Sequence, residues 1–148
     1  MYTIEEFDRE KSKVMNYIMY KKRSEYEVRN KFNKTIEENL LNDIIDYIKE
    51  AKYLDDNNYV ERAINEFINL RHISIKEIKY KLISKGIKID LIDDYIYNNS
   101  ENLNNYEIES IRHIFYKNKN TKDIEEIQSY LIRKGFKKDN IKLVIEEE

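Results

Sequence analysis

Apolar residues fall along this chain in short groups spaced three and four apart, and the groups return at intervals of 50 and then 49 residues. Ser24, Val28 and Phe32 match Ser74, Ile78 and Leu82, and these match Asp123, Ile127 and Leu131. A second matching stretch follows each trio: Lys34-Thr35-Ile36, Lys85-Gly86-Ile87 and Lys134-Gly135-Phe136, the first copy running one residue shorter. In the middle copy Val60, Ile64, Phe67 and Ile68 trace one face of a helix over about residues 57–70, and Ser74 opens the next. Ile75, Ile78, Leu82 and Ile83 sit at i, i+3, i+7 and i+8, and Ile124, Ile127, Leu131 and Ile132 repeat that spacing, which predicts one narrow buried stripe. Leu40, Leu41, Ile44, Ile45 and Ile48, then Leu91, Ile92, Tyr95 and Ile96, mark a third helix in the unit. The pattern predicts an all-α chain of three tandem three-helix repeats forming an elongated, curved array. The N-terminal region and first repeat are expected over 1–52, the second repeat over 53–100 and the third over 101–148.

Start and stop signals recur with the apolar ones. Ser24-Glu25-Tyr26-Glu27 and Ser74-Ile75-Lys76-Glu77 have the form of a capping box, in which serine accepts from the N3 amide and glutamate reaches back to the cap amide. Asp123 is the matching cap of the third copy, with Thr121 as a competitor. Gly86 and Gly135 are placed to end their helices in a left-handed turn, and Asp90 and Asp139 to cap the third helices. Residues 52–57 and 98–105 are the linkers, the second predicted to be the looser for its asparagines. A unit of under 50 residues buries too little surface to stand alone, so neighbouring units must lean on each other.

Composition adds little. Two glycines and no proline among 148 residues disfavour hairpins and favour helices. The absence of cysteine excludes disulfides and thiolate chemistry and suits a cytoplasmic location. No apolar run approaches the roughly 20 residues that cross a bilayer, so no membrane role is expected.

Charge changes the picture more. The formal net charge of -2 conceals an alternation. Residues 9–34 hold nine Lys or Arg against three acids, 35–66 hold three against nine, and 67–88 hold six against one. Residues 89–111 hold six acids and no Lys or Arg, and 112–142 hold nine Lys or Arg against four acids. Cations gather around the middle helices: Arg29, Lys31 and Lys34; Lys76, Lys79, Lys81 and Lys85; Arg133, Lys134, Lys137 and Lys138. Each cluster can be read as a solvated helix face. Repeated at one structural position, the three can equally form a broken cationic edge for a polyanion or an acidic protein groove. A helix-turn-helix reading fails, because the third helix of the second copy carries Asp90, Asp93 and Asp94 and no cation to meet phosphate.

No catalytic constellation is found. His72 and His113 are the only histidines and neither has a metal-spaced partner; the adjacent pairs Glu37-Glu38, Asp55-Asp56 and Asp93-Asp94 diverge on a helix and serve better as caps. No glycine loop cradles a phosphate, so neither an enzymatic activity nor a cofactor is expected. Tyr17, Phe67 and Tyr116 occupy matching first-helix positions and are assigned to the core, whereas Tyr26, Tyr80 and Tyr130 lie near the cations and could stack an unpaired base.

The segment Lys52-Tyr53-Leu54-Asp55-Asp56-Asn57-Asn58-Tyr59-Val60, together with Lys85-Gly86-Ile87 and Lys134-Gly135-Phe136, resembles the RecX family of recombinase regulators over almost the whole chain. Tyr53, Leu54, Asp55, Asp56 and Tyr59 carry its most specific mark; Lys52 stands where the family commonly has glycine, and His72-Ile73 replaces a usually basic, Gly-containing turn. The resemblance implies three-helix repeats and a non-enzymatic modulator of RecA. Such a modulator lodges in the groove of the RecA filament on single-stranded DNA and inhibits its ATPase and strand exchange, in DNA repair and the SOS response. A monomer is expected, with at most weak direct contact to DNA. Charge reversal at Lys79, Lys81 and Lys85 is then expected to weaken filament binding with helicity retained. The alternatives are a helical protein that binds DNA directly without RecA, and a scaffold for an unrelated partner.

Overall fold

Where a polar side chain can take the first free backbone amides of a turn, this chain starts a helix. Thr3 accepts from the Glu6 amide and opens α1 (Ile4–Tyr20); Ser24 accepts from the Glu27 amide while Glu27 accepts from the Ser24 amide, and α2 (Glu25–Phe32) follows. Glu37 caps α3 (Glu38–Glu50), Asp55 accepts from the amides of Asn57 and Asn58 at the start of α4 (Asp56–Leu70), and Ser74 caps α5 (Ile75–Ser84). Then come α6 (Ile89–Asn98), α7 (Ser100–Asn118), α8 (Ile124–Arg133) and α9 (Lys138–Glu146). The computed structural model describes residues 1–70 and 72–147. Arg71, in the expected second repeat, and Glu148, in the third, lie outside them.

The helices pack in threes around three separate cores. Val14, Ile18, Val28, Phe32, Ile36, Leu40, Leu41, Ile44, Ile45 and Ile48 form the first, closed by Leu54 from beyond α3. Val60, Ile64, Ile78, Leu82, Ile87 and Ile92 form the second, closed by Leu103 of α7. Ile111, Phe115, Ile127, Leu131, Phe136, Ile141 and Val144 form the third. Each buried side chain of this size contributes about 1.5–3 kcal/mol. The accessible surface is 10125 Å², against roughly 8,100 Å² for a compact monomer of this mass. The excess is what a row of small cores exposes and a single globule does not.

Several expectations are corrected. Asp123 stands at the head of α8 but makes no side-chain capping bond, and Lys88 and Lys137, not Asp90 and Asp139, occupy the caps of α6 and α9. The two aspartates lie in first turns, where their charge still complements the helix dipole. Residues 98–105 are no loose joint: only Asn99 separates α6 from α7, Leu103 is buried, and Asn104 accepts from Asn140 across to α9. The buried stripe of α8 is narrower than its spacing suggests, since Ile124 and Ile132 are exposed while Ile127 and Leu131 are covered. Tyr116 is exposed and its neighbour Phe115 is buried instead. The fixed repeat spacing fails in the first helices because the stretch between the last buried residue and the next cap differs in each copy: Ile18 to Ser24, Ile64 to Ser74, Phe115 to Asp123.

Gly86 and Gly135 adopt φ of 80° and 94°, and among the described residues Lys52 is the non-glycine residue with positive φ, at 65°. A side chain in that region costs about 1–2 kcal/mol, partly offset in glycine by its greater unfolded-state freedom. Lys52→Gly is therefore expected to stabilise the chain by about 0.5–1 kcal/mol in urea unfolding. Unchanged or lower stability would mean that Lys52 makes a compensating contact.

Candidate functional site

The two joints between units are built alike. Ser24 at the head of α2 donates its hydroxyl to the Lys85 carbonyl at the end of α5 (2.9 Å), and Ser74 at the head of α5 donates to the Lys134 carbonyl at the end of α8 (2.7 Å). A carboxylate from the following unit takes the first helical amide: Asp56 accepts from Glu25 N–H (3.0 Å), and Glu107 accepts from Ile75 N–H (3.1 Å). The glycines sit inside these contacts. A Cβ on Gly86 would lie 2.0 Å from the Tyr26 ring, and one on Gly135 would lie 3.0 Å from Ser74 Oγ and 3.2 Å from the Lys76 side chain. Each middle helix thus adjoins the next end to end, and α2, α5 and α8 form one spine. At 1.5 Å per residue, the turns that follow the middle helices recur on the order of every 15 Å along it.

Those turns carry cations. Lys34 is exposed after α2; Lys85 and Lys88 are exposed after α5; Arg133, Lys134, Lys137 and Lys138 are exposed across the turn from α8 to α9. A cation in the last turn of a helix answers the helix dipole, which accounts for Lys31, Lys81 and Arg133 without any partner. Lys88 and Lys137 are different. They cap α6 and α9 at the positive end of the dipole, make no side-chain capping bond, and so stand where helix stability disfavours them. Lysines beside helix N-termini concentrate positive potential at the turn, an arrangement suited to carboxylate or phosphate.

The eleven sequence-predicted residues separate on this geometry. Arg29 is half-buried, 3.0 Å from Glu25 and donating to Asn42 Oδ1 (2.7 Å), and Lys79 lies 2.6 Å from Asp93, so both are engaged within the chain. Lys31 is exposed with its ammonium 5.8 Å from the Tyr17 ring centre, Lys76 is exposed but packs on Gly135, and Lys81 is half-buried. Lys34, Lys85, Arg133, Lys134, Lys137 and Lys138 face solvent. Lys88 was missed by sequence reasoning, although its place three residues after Lys85 repeats the spacing of Lys134 and Lys137. Of the three stacking candidates, Tyr80 is 60% exposed and Tyr26 49%, whereas Tyr130 is 37% exposed beneath Arg133 and Lys134 at 5.9 and 5.8 Å.

The joints hold their own ionic chemistry. Burial alone would raise the Glu25 carboxyl, but hydrogen bonds from Lys49 and Arg29 outweigh it and hold the group below its ordinary value. Asp56 is raised, chiefly by burial, against the pull of the Glu25 amide. At the second joint the Tyr106 hydroxyl takes the Ile73 amide and donates back to the Ile73 carbonyl. Beside it His72 and His113 stack at 4.0 Å between ring centres with 17° between planes. Partial desolvation, and then His113, holds His72 below the ordinary 6.5. A lowered imidazole favours the folded state above the unfolded value of about 6.5 and loses that contribution as pH falls from there through the lower folded value. His113→Ala is expected to move the His72 midpoint upward in an NMR titration. A midpoint unmoved by the substitution would show that the stack does not couple the rings.

Among the described residues, no group of three or more His, Cys, Asp or Glu is placed to hold a metal ion, and no helix is long and apolar enough to cross a membrane.

No family model matches the chain. Its sequence is 31% identical to regulatory protein RecX of Clostridium acetobutylicum over 93% of this chain and 67% of that protein, and 29% identical to regulatory protein RecX of Staphylococcus epidermidis over 99% of this chain and 58% of that protein. The chain therefore spans about three fifths to two thirds of the length of these curated relatives. Its fold is that of the crystal structure of RecX from Lactobacillus salivarius (TM-score 0.85, 22% identity, 98% of this chain and 97% of that one). It also matches a second crystal structure of regulatory protein RecX, with TM-score 0.80 and 20% identity over 95% of this chain and 73% of that one.

Proposed function

The chain belongs to the RecX family of regulatory proteins, and from that membership we propose that it regulates a RecA recombinase without catalysis of its own, by lodging in the groove of the RecA filament on single-stranded DNA. The observation that carries the reading is the file of cationic turns along the α2–α5–α8 spine, above all Lys88 and Lys137, set where the helices they cap disfavour them. A filament groove repeats acidic protein surface and phosphate along its length. A row of cationic turns on a semi-rigid spine can engage several protomers at once, each contact raising the effective concentration of the next. Seated there, the spine opposes the relative motion of protomers on which ATP turnover and strand exchange depend. The site of action is cytoplasmic and the chain acts as a monomer.

Lys34, Lys85, Arg133, Lys134, Lys137 and Lys138 carry the contact, joined by Lys88. Arg29 and Lys79 act indirectly, by fixing α2 and α5 through Glu25 and Asp93. The test is DNA-dependent ATP hydrolysis by the cognate RecA during titration with this protein. Inhibition at well below one chain per RecA is expected, because one chain restrains several protomers. Inhibition only in proportion to DNA occupied, and relieved by adding DNA, would instead favour direct competition for the strand.

A further inference from the structure

Lys21, Lys22, Lys52 and Arg62 surround one cleft of about 440 Å³ at the first joint, between the turn from α1 to α2, the turn from α3 to α4, and α4 itself. Among the described residues, none of the four side chains makes an ion pair, a hydrogen bond or a ring contact. Arg23 lines the cleft too, but its guanidinium is engaged over the Tyr17 ring, 3.9 Å from the ring centre. The acid in the lining, Asp55, accepts from the amides of Asn57 and Asn58 and so serves the start of α4. Cations at the end of a helix answer its dipole, which accounts for Lys21 and Lys22 but not for Lys52 or Arg62. Like charges gathered without partners repel, and the cleft stays short of negative charge.

The backbone fixes two of the lining residues. At the end of α3 the Tyr53 amide donates to the Ile48 carbonyl (2.8 Å) and the Lys52 amide to the Lys49 carbonyl (3.0 Å), a pairing whose left-handed position usually holds glycine. Here that position is Lys52, at φ 65°. The turn therefore sets where the Lys52 and Tyr53 side chains leave the chain. Leu54 closes the first core, Asp55 caps α4 and Asp56 holds the head of α2, whereas Tyr53 is left without a task in the fold. Its ring is 50% exposed, lines the cleft, and makes no hydrogen bond or ring contact among the described residues. Lys52 and Asp55 also line the neighbouring cleft that holds Lys49 and Lys88, so the positive charge runs on toward the turn after α5.

We propose that this cleft binds a nucleotide, free or as one unit of a single strand, with Lys21, Lys22, Lys52 and Arg62 holding its phosphates and the Tyr53 ring stacked on its base. Ammonium and guanidinium groups suit phosphate oxygens, an aromatic face beside them accepts any base, and a cleft of this volume admits a ligand of that size. An acidic peptide would answer the charge and leave the ring bare. The inference needs no RecA and goes beyond the function proposed above.

Isothermal titration of the full chain with ATP, a short oligothymidylate and tripolyphosphate tests it at moderate salt. Saturable nucleotide binding with Kd on the order of 10–100 μM is expected, the range of contacts made mostly to phosphate. Lys22→Ala/Arg62→Ala is expected to weaken it about three- to thirtyfold. Tyr53→Ala is expected to weaken nucleotide binding about fivefold or more and to leave tripolyphosphate binding unchanged, since only a base can stack. Lys117→Ala/Lys142→Ala removes the same charge from exposed positions of the third unit and is expected to leave binding as in the wild type. Helicity by circular dichroism and urea midpoints equal to wild type establish that the variants are folded. Tighter binding of the oligothymidylate identifies a strand as the source of the nucleotide, and tighter binding of ATP a free nucleotide. The proposal is overturned if neither nucleotide saturates the chain by about 1 mM, if the third-unit variant loses as much as Lys22→Ala/Arg62→Ala, if Tyr53→Ala leaves nucleotide binding unchanged, or if poly-glutamate of equal charge displaces the nucleotide as well as tripolyphosphate does.

Discussion

Glu107→Ala is expected to destabilise the chain by about 3–5 kcal/mol, the largest effect of any polar substitution outside the cores. The Glu107 side chain is 1% exposed and accepts from Ile75 N–H at 3.1 Å, Lys137 N–H at 2.8 Å and Asn140 Nδ2–H at 3.4 Å. It thus ties the head of α5, the cap of α9 and the α7 on which it sits. Alanine removes the acceptor for two backbone amides and one side-chain amide. Each buried donor left without a partner costs about 1–3 kcal/mol, to which the emptied volume adds. Glu107→Gln is expected to cost less, about 1–3 kcal/mol, because one oxygen still accepts while an amide group now faces a donor. Urea unfolding of both variants checks the order. A loss below about 1 kcal/mol for Glu107→Ala would mean that the second joint is held by apolar contact alone.

The second large effect is on binding. Reversing Lys85, Lys88 and Lys134 to glutamate together is expected to weaken binding to RecA-coated single-stranded DNA by about ten- to a hundredfold at moderate salt. Each exposed charge contact is worth about 0.2–1 kcal/mol, and reversal replaces attraction by repulsion. Lys79 is left intact, since its loss would also release Asp93. Lys88→Glu separates function from structure. A carboxylate at the head of α6 suits the helix dipole, so that variant is expected to be slightly more stable and to bind less well. A drop in stability and binding together would assign Lys88 to the fold. Fluorescence anisotropy for binding and urea midpoints for stability read the two effects apart.

Much of this was written plainly in the residues. The caps at Ser24 and Ser74 and the turns at Gly86 and Gly135 follow local rules that act within four residues, so spacing alone finds them. The family's tyrosine-leucine-aspartate mark was also visible, but its physical sense came only with the fold. Leu54 closes the first core, Asp55 caps α4, and Asp56 reaches back to the head of α2. The register of the first helices was misread because the stretches before the caps differ in length, and a fixed interval then points to Tyr116 in place of Phe115. The exposed Ile124 and Ile132 and the packed helix at residues 98–105 reflect what a neighbouring unit does or does not cover, which periodicity within one helix cannot reveal. The joint carboxylates lie 31 and 32 residues from the amides they hold. Their trace in the sequence is slight: each stands four places before a buried apolar residue, Asp56 before Val60 and Glu107 before Ile111, as other acids of the chain also do.

Charge was legible as an alternation and illegible as a surface. The block counts placed cations near the middle helices, yet only the folded chain separates Arg29 and Lys79, turned inward to Glu25 and Asp93, from the lysines of the turns. The same geometry brought Lys88 into the set.

The most direct measurement compares the affinity of the wild-type chain for single-stranded DNA coated with RecA and for the same strand bare, at several salt concentrations. The account predicts binding to the coated strand at least about tenfold tighter, with that preference lost in the Lys85, Lys88, Lys134 reversal. Equal or tighter binding to the bare strand, falling steeply with salt as phosphate contacts do, would contradict it.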